Sequence, residues 1–312
     1  MSVSPASLPE LPELPELPAP SEAVIVTRLR AAGCVFAEDE ARLLVSSART
    51  PADLSAMVER RVAGLPLEHV LGWAEFCGLR VTVAPGVFVP RRRSEFLVTQ
   101  AVEHTRRAAL RSGAPSPDPS AGRLIPLRRP VVVDLCCGTG ALGAALAQAL
   151  GPVELHAADI DPAAVECARD NLAALGGHVY AGDLYEPLPA MLRGRVDILV
   201  ANAPYVPTGA VGLLPSEARD HEPLVALDGG RDGLDVLRRV IAEAPRWLAP
   251  GGILLVETSE RQAPSLVEIV HGAGATGGSG GAARDGVVAR VVEDDEMDAT
   301  AVVFVRPEGR SV

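Results

Sequence analysis

The chain has 312 residues, of which 48% are hydrophobic and 22% charged, and its formal net charge at neutral pH is −11. This composition supplies a buried core, predicts about two domains and excludes a wholly disordered chain. The acidic balance argues against a protein that coats DNA or RNA, because binding to phosphates requires a basic surface.

Neither the cysteines nor the histidines are spaced like metal ligands. Five cysteines, an odd number without CxxC spacing, also argue against a disulfide framework. The N-terminus has no apolar stretch typical of a secretory signal, and the most apolar stretch, 131–150, contains Asp134 and several glycines. We therefore expect a cytoplasmic protein without metal, membrane span or disulfides.

The N-terminal part is predicted to hold a tail and a small helical domain. Pro-Glu-Leu occurs three times over residues 9–17, which predicts an extended, disordered tail over residues 1–20. Residues 21–75 have apolar side chains at helical spacing, and Thr50-Pro51 is typical of a helix start. One apolar helical face is predicted from four residues, Leu54, Met57, Val58 and Val62.

Residues 76–94 are predicted to be a β-hairpin connector. Leu79–Val83 alternates in polarity, Ala84-Pro85-Gly86 is typical of a turn, and Val87–Val89 is extended. Residues 112–130, rich in Ser, Gly and Pro, predict an exposed loop.

From residue 131 onward, strand and helix patterns alternate. The predicted strands are Val131–Leu135, Val153–Ala158, His178–Ala181, Val196–Ala201 and Ile253–Glu257, and the predicted helices are Leu142–Leu150, Pro162–Leu175 and Leu234–Leu248. A Gly/Ala-rich loop over 271–286 precedes a closing antiparallel pair, Val287–Val292 and Thr300–Arg306. Continuous apolar strands between helices predict an α/β fold with a doubly wound, mostly parallel sheet and an antiparallel C-terminal strand.

A glycine turn follows the first of these strands. The segment Asp134 to Gly140 reads Asp-Leu-Cys-Cys-Gly-Thr-Gly, and glycines at such a position let the backbone approach a ligand. Residues 138–143 also fit GxGxxG, a pattern of dinucleotide-binding proteins. A tight turn that simply requires glycine is the structural alternative.

Acidic residues follow the next two strands. Asp159 is placed to accept hydrogen bonds from both hydroxyls of a ribose, whereas Asp161, before Pro162, is typical of a helix cap. Asp183 would accept from the amino group of an adenine, with Leu184 against its face, or else is a solvated loop residue.

The fourth strand is followed by Asn202-Ala203-Pro204-Tyr205, which holds one of only two asparagines in the chain. Pro204 favours an extended Ala203, which would aim the Asn202 side-chain oxygen and the Ala203 carbonyl into the crevice. Two acceptors suit an NH2 group, and Tyr205 offers a planar face and a hydroxyl. A plain strand-end turn is the alternative.

These four motifs together resemble class I S-adenosylmethionine-dependent methyltransferases, and more narrowly the PrmC/HemK family, which methylates the glutamine amide of the Gly-Gly-Gln motif in peptide-chain release factors. The resemblance extends over roughly residues 38–306. Five further stretches carry it: Gly64–Gly72, Glu75–Leu79, Val89–Glu95, Glu222–Leu234 and Glu257–Gln262.

The resemblance implies a Rossmann-like methyltransferase domain over residues 95–312 and a substrate-docking role for the helical domain. It implies a catalytic group of Asn202, Ala203, Pro204 and Tyr205, and a substrate-binding group of Pro90, Arg91, Glu95 and Tyr205. The implied cofactor-binding residues are Asp134, Cys136, Gly138, Thr139, Gly140, Asp159, Ile160, Asp183, Leu184 and Asn202. We expect S-adenosylmethionine as cofactor, S-adenosylhomocysteine as product, a release factor as partner, and a monomer without general nucleic-acid binding.

Two departures from the family pattern leave the acceptor open. Ala203 stands where the family usually has proline, and Arg91-Arg92-Arg93-Ser94 stands where it usually has Arg-Pro-x-Thr. Arg91–Arg93 would contact a phosphate or an acidic partner, or form a solvated basic turn. The alternatives are a methyltransferase for a small-molecule or nucleic-acid amine, a nicotinamide-dependent oxidoreductase, and a non-catalytic protein that keeps the fold.

Overall fold

The computed structural model of the chain describes residues 20–111, 129–275 and 288–307. Residues 1–19 of the predicted tail, most of the predicted 112–130 loop and residues 276–286 of the predicted second loop lie outside the described residues. The chain divides into two compact units, Met1–Leu71 and Gly72–Val312. Within the described ranges, no helix is long and apolar enough to cross a membrane.

The first unit is helical, as the apolar spacing predicts. Its helices are α1 (Glu22–Ala31), α2 (Ala37–Ser47), α3 (Pro51–Val62) and α4 (Leu67–Leu71). Thr50 caps α3, because its side chain accepts a hydrogen bond from the backbone N–H of Asp53. Leu54, Met57 and Val58 are buried as predicted, and Arg61 on the same helix forms a buried ion pair with Glu40. The sequence pattern did not predict this pair.

The second unit is built on a seven-stranded sheet. Its strands are β3 (Val131–Leu135), β4 (Glu154–Asp159), β5 (His178–Ala181), β6 (Val196–Ala201), β7 (Leu248–Thr258), β8 (Val288–Asp294) and β9 (Ala299–Val305). The longer helices around it are α5 (Glu95–Arg111), α6 (Ala141–Leu150), α7 (Pro162–Leu172), α9 (Asp235–Trp247) and α10 (Ala263–Ala275), and α8 (Ser216–His221) is a short helix.

The sheet has the order β5-β4-β3-β6-β7-β9-β8, in which β9 runs antiparallel to both of its neighbours. The other paired neighbours, from β5 to β7, are parallel. This confirms the predicted fold: a doubly wound, mostly parallel sheet that ends in an antiparallel strand.

Successive strand residues pack on opposite faces of the sheet. Val132, Ile198 and Leu255 belong to a core shared with α5, α6 and α7. Residues one position away along the strands, such as Val133 and Leu199, belong to a second core shared with α9 and α10. Because both faces are covered, the strands are apolar throughout, which is the pattern that made them predictable.

The strand order reverses direction between β3 and β6. From β3 the chain proceeds outward to β4 and β5, and then returns to the other side of β3 with β6. In sheets of this kind the crevice at the carboxyl ends of the strands, at this reversal, is where ligands bind. The segments after Leu135 and Ala201 therefore meet at the expected position of a site.

The predicted hairpin pairing is wrong. Leu79–Thr82 forms strand β2, but its partner is β1 (Trp73–Phe76), on its N-terminal side. Cys77 and Gly78 both have positive φ, 50° and 72°, and such a pair of residues suits a two-residue hairpin turn. The predicted 84–86 turn does form, with a Val87 N–H to Ala84 carbonyl bond, but Val87–Val89 beyond it form no strand.

Some element boundaries also differ from the prediction. Strand β7 begins at Leu248 and runs through Pro250-Gly251-Gly252, which was predicted to end a helix. Helix α10 continues to Ala275, into the predicted loop, and is anchored by the buried Leu266 and Val270. Helices α5, α8 and α10 themselves were not predicted.

Asn171 ties three segments of the second unit together. Its side-chain oxygen accepts from the backbone N–H of Thr82, and its side-chain nitrogen donates to the carbonyls of Thr82 and Thr139, each over 2.9 Å. Thr82 belongs to the hairpin and Thr139 to the glycine turn. One side chain on α7 thus fixes both the hairpin and the turn after β3.

We predict that Asn171→Ala lowers the free energy of unfolding by about 1–3 kcal/mol, because three hydrogen bonds to backbone groups are lost. Urea unfolding measures the loss. Asp170→Ala, at an exposed position of the same helix, is the matched control and should change stability little. Equal stability of the two variants would contradict the role of Asn171.

Candidate active site

The chain turns sharply between β3 and α6. Cys136, Gly138 and Gly140 all have positive φ, at 54°, 54° and 76°. Glycine adopts this conformation freely, but a cysteine in it is strained. The backbone N–H of Cys137 donates to the Ala158 carbonyl at the end of β4, so the turn folds over the carboxyl ends of two strands.

Two aspartates support this turn. Asp134 is fully buried, and one of its carboxyl oxygens accepts from the backbone N–H of Gly143 over 2.9 Å. Asp159 accepts from the backbone N–H of Gly138 over 2.8 Å and from that of Asp161 over 2.9 Å. Burial raises the pKa of Asp159, and it raises the pKa of Asp134 to about 8.

The other Asp134 carboxyl oxygen, Oδ1, is buried and has no hydrogen-bond partner among the described residues. Such an oxygen is costly unless something pairs with it. Together with the turn that exposes backbone groups, it fits a polar cofactor at this position. Asp161 caps α7 through the backbone N–H of Ala163, as predicted.

Two cavities adjoin at the carboxyl end of β6. The larger, about 280 Å³, reaches from Asn202 toward Glu257, and the smaller, about 50 Å³, lies beside the glycine turn. They share four lining residues: Phe88, Asn202, Pro204 and Ala226. Asn202 and Pro204 thus stand at the boundary between the two cavities. We call the smaller the cofactor-side cavity and the larger the acceptor cavity, after the roles that the sequence analysis predicts for their lining residues.

The predicted site residues divide between these cavities. The cofactor-side cavity is lined by Cys136, Gly138, Asp159, Ile160 and Asn202, and the acceptor cavity by Arg91, Asn202, Ala203, Pro204 and Tyr205. Of the described residues predicted for the site, seven line neither cavity: Pro90, Glu95, Asp134, Thr139, Gly140, Asp183 and Leu184.

Three of these residues have other partners. Glu95 accepts from the backbone N–H of Cys77 at the hairpin tip over 2.9 Å. Asp183 forms an ion pair with Arg239 over 2.6 Å. Leu184 is buried in the core with a φ of 51°.

A buried carboxylate, Glu257 at the end of β7, links several residues of the site through hydrogen bonds. Its side chain is 4% exposed and accepts hydrogen bonds from Ser94 Oγ, from the Tyr205 hydroxyl over 3.0 Å and from Arg93 Nε over 3.1 Å. Ser94 Oγ in turn lies 2.9 Å from the side-chain nitrogen of Asn202. Burial and then the charge of Glu257 raise the pKa of the Tyr205 phenol well above its ordinary value, so the phenol stays protonated.

A second buried carboxylate holds Arg91. The Glu222 side chain is fully buried, and its two oxygens lie 2.6 and 2.7 Å from Arg91 Nη2. Glu222 also accepts from the backbone N–H of Val89. Arg91 and Arg93, two of the three arginines in the predicted basic segment, are therefore each paired with a buried carboxylate, although their own side chains are 31% and 42% exposed.

The backbone at Tyr205 is held by Gln262 and by the glycine-rich segment 228–233. Gln262 donates to the carbonyls of Tyr205 and Asp232 over 2.9 and 3.0 Å. Gly233 has a φ of 80°, and a side chain there would collide with the Tyr205 carbonyl and with Gln262. This close approach explains why glycine occupies the position.

Five residues that the structure brings to this site were absent from the site predicted from the sequence: Arg93, Ser94, Glu222, Glu257 and Gln262. Each of the five has a partner 52 to 164 residues away in the chain, and no local pattern connects such pairs. The available signals were the acidic residue at the end of an otherwise apolar strand, Ile253–Glu257, and the stretches that carry the family resemblance, Val89–Glu95, Glu222–Leu234 and Glu257–Gln262, which contain all five residues.

The chain is similar to known methyltransferases. Residues 123–213 match the family model of the methyltransferase small domain. The release factor glutamine methyltransferase of Mycolicibacterium smegmatis is 39% identical over 234 residues, which are 74% of this chain and 75% of that protein. That of Gloeobacter violaceus is 38% identical over 222 residues, 70% of each chain.

One similar protein carries another name. The 4-amino-L-phenylalanine/4-methylamino-L-phenylalanine methyltransferase of Streptomyces pristinaespiralis is 34% identical over 217 residues, 70% of this chain and 69% of that protein. Among solved structures, the hMettl16 catalytic domain in complex with a 3′UTR hairpin has a TM-score of 0.51 over 82% of this chain and 84% of that one. At 12% identity, this likeness concerns the fold alone.

We predict that Asp134 gives stability an unusual dependence on pH. In the unfolded chain its pKa is about 3.9, and in the folded protein it is about 8. Between these values the folded state binds the extra proton, so raising the pH destabilises it. The difference in unfolding free energy, wild type minus Asp134→Asn, should fall between pH 5 and 8 by up to about 1.4 kcal/mol per pH unit. Urea unfolding at several pH values measures it, and a difference independent of pH would contradict the buried neutral carboxyl.

We predict that Gly233→Ala destabilises the protein by at least about 2 kcal/mol, because it adds backbone strain and a collision with the Tyr205 carbonyl. Gly212→Ala is the matched control, since a side chain there has no atom within 4 Å. Thermal unfolding compares the two variants. A Gly233→Ala protein as stable as the control would show that the segment around Gly233 accommodates the added side chain without loss of stability, which would contradict the prediction.

Proposed function

Because the chain belongs to the family of release factor glutamine methyltransferases, we propose that it methylates the side-chain amide of a protein glutamine. The acceptor in this proposal is the glutamine of a Gly-Gly-Gln motif in a peptide-chain release factor, and the methyl donor is S-adenosylmethionine. The GxGxxG pattern then belongs to a methyltransferase cofactor turn, and the oxidoreductase hypothesis is set aside.

One observation carries this proposal: the Asn202–Pro204 segment forms the boundary between the cofactor-side cavity and the acceptor cavity. A group held there would lie beside both the cofactor and the substrate. Ala203 keeps the backbone carbonyl that proline would supply, and its side chain is buried, at 1% exposure. The departure from the family pattern therefore leaves both proposed hydrogen-bond acceptors in place, the Asn202 side-chain oxygen and the Ala203 carbonyl.

In the proposed mechanism, the Asn202 side-chain oxygen and the Ala203 carbonyl accept hydrogen bonds from the two hydrogens of the glutamine amide. An amide nitrogen is a weak nucleophile because its lone pair is delocalised, so the main task of these residues is alignment. Positioning of this kind contributes about 7–11 kcal/mol in favourable cases. The two acceptors also favour the positive charge that develops on the nitrogen.

The cofactor would be held by the turn after β3 and by the acidic residues beside it. S-adenosylmethionine supplies a methyl group activated by its sulfonium. Asp159 braces the turn through Gly138 and keeps lone pairs for ribose hydroxyls, while the unpaired Asp134 oxygen fits a polar group. Cys136 and Ile160 line the same cavity. Asp183 and Leu184 lie outside it, so we propose their adenine contact on the family resemblance alone.

The charges and apolar side chains around the site support a protein substrate. Both arginines that line the acceptor cavity, Arg91 and Arg93, are paired with buried carboxylates, so neither is a ready partner for a phosphate. Exposed apolar side chains flank the cavities, with Leu213 at 85%, Leu224 at 59% and Ile160 at 53% exposure. A neutral peptide loop fits such surroundings better than a nucleic acid does.

We also propose that the helical unit takes part in substrate docking. The turn between α1 and α2 exposes Val35 and Phe36, at 82% and 68%. Exposed large apolar side chains next to each other are typical of protein contact sites.

The proposal predicts label on one glutamine. The protein is mixed with isotopically labelled S-adenosylmethionine and release factors of its host, and the Gly-Gly-Gln peptide is analysed by mass spectrometry. Asn202→Ala should lower kcat by about 10²–10³-fold, because an aligning group at the reacting nitrogen is lost, while cofactor affinity in calorimetry stays close to that of the wild type.

Two outcomes would contradict this proposal. A protein that binds the cofactor but labels no release factor would not be a release factor methyltransferase, and label on 4-amino-L-phenylalanine would then favour a small-molecule amine as acceptor. Near-normal turnover of Asn202→Ala would contradict the role of that residue.

A further inference from the structure

The hydrogen bonds around Glu257 have a defined direction. A carboxylate only accepts hydrogen bonds, so each group that contacts it must donate. The Ser94 hydroxyl has one hydrogen, which is therefore directed to Glu257. Toward any other neighbour, Ser94 Oγ can therefore only accept a hydrogen bond.

That other neighbour is the side-chain amide of Asn202. Since Ser94 Oγ can only accept at this contact, the atom 2.9 Å away must be the amide nitrogen, which donates. The amide oxygen of Asn202 lies on the opposite end of the same planar group. It is consequently left available to the cavities that Asn202 lines.

Ser94 is well placed to hold this orientation. It is 2% exposed and lies immediately before α5, so neither water nor a mobile loop competes for its hydroxyl. Glu257 is held in turn by Tyr205 and by the guanidinium of Arg93. Arg93 supplies a positive charge that keeps a buried carboxylate paired.

We propose that Ser94 and Glu257 are positioning residues that set which end of the Asn202 amide faces the acceptor. This proposal rests on the proposed function, in which Asn202 holds the acceptor amide. In the observed orientation Asn202 meets the substrate NH2 with an oxygen. In the flipped orientation it would meet it with its own NH2, and two donors would oppose each other.

The same chain of hydrogen bonds determines what the site selects. The Tyr205 hydroxyl donates its hydrogen to Glu257 and accepts from Arg93, so it has no hydrogen to offer a ligand. Because Asn202 presents its oxygen, the acceptor cavity favours groups that bring N–H hydrogens. Primary amides and aryl amines meet this condition, whereas carboxylates and esters do not.

The orientation of Asn202 can be measured without any substrate. The chain has only two asparagines, so labelling asparagine side chains with ¹⁵N gives two NH2 pairs in an NMR spectrum. Asn202→Ala identifies the Asn202 pair by its loss. The Asn171 pair, bonded to Thr82 and Thr139, is the internal control that reports an intact fold.

We expect Ser94→Ala to move the Asn202 resonances and to speed exchange of the bonded hydrogen on the order of ten-fold, with the Asn171 pair unchanged. Ser94→Thr keeps a hydroxyl, matches the residue usual in the family pattern, and should restore the wild-type spectrum. Glu257→Gln, whose amide can donate, should move the Asn202 pair while Ser94 is intact.

Kinetics give the second readout. Ser94→Ala should lower kcat by about 10- to 100-fold through misalignment, with little change in KM, and Ser94→Thr should recover most of it. In an Asn202→Ala background the same serine substitution should have no further effect, because a residue that acts through Asn202 loses its means of acting.

Two results would overturn the proposal: Asn202 resonances that do not respond to Ser94→Ala, or equal loss of kcat from Ser94→Ala with and without Asn202. Because the NMR measurement involves no acceptor, it tests the positioning role even if release factors are not methylated. Failure of the proposed function would instead appear as unlabelled release factor with a normal Asn202 response.

Discussion

The candidate site depends on two carboxylates that the fold buries at the carboxyl end of the sheet and on the hydrogen-bond donors that pair with each of them. Glu222 and Glu257 are 0% and 4% exposed, and a charge so far from water is tolerated only when donors surround it. Arg91, Arg93 and Ser94 supply those donors from a single short segment. Removing one partner of a buried pair typically costs about 3–5 kcal/mol, so these contacts hold the segment firmly against the crevice.

The chain contains no lysine, and arginine meets this constraint in a way that lysine would not. Arg91 reaches both oxygens of Glu222 while its guanidinium lies over the ring of Phe88, 4.9 Å from the ring centre. The planar guanidinium of an arginine can donate hydrogen bonds from its edge while its face stacks on an aromatic ring, whereas the ammonium group of a lysine cannot. Two of the three basic residues that suggested an anionic partner in the sequence, Arg91 and Arg93, thus support the wall of the acceptor cavity.

The sequence predicts what depends on local pattern. Apolar runs and helical spacing located the strands from Val131 to Ala201, and the four strand-end motifs located the crevice between them. Patterns of this kind could not show that Arg93 meets Glu257 across 164 residues, because such contacts are made by the fold as a whole. The hairpin was mispaired for a related reason: Ala84-Pro85-Gly86 is the stronger turn motif, but Cys77 adopts a positive φ that a non-glycine residue rarely shows.

The position of β9 has a consequence for how the chain assembles. This strand follows β8 in sequence, yet it lies between β7 and β8 in the sheet. During synthesis, which runs from the N-terminus, β7 is therefore complete while its outer edge still lacks a neighbour. That edge carries buried apolar residues such as Leu254 and Val256, and an open apolar edge pairs readily with other chains. The nascent protein is accordingly most exposed to aggregation in the interval before β9 is inserted.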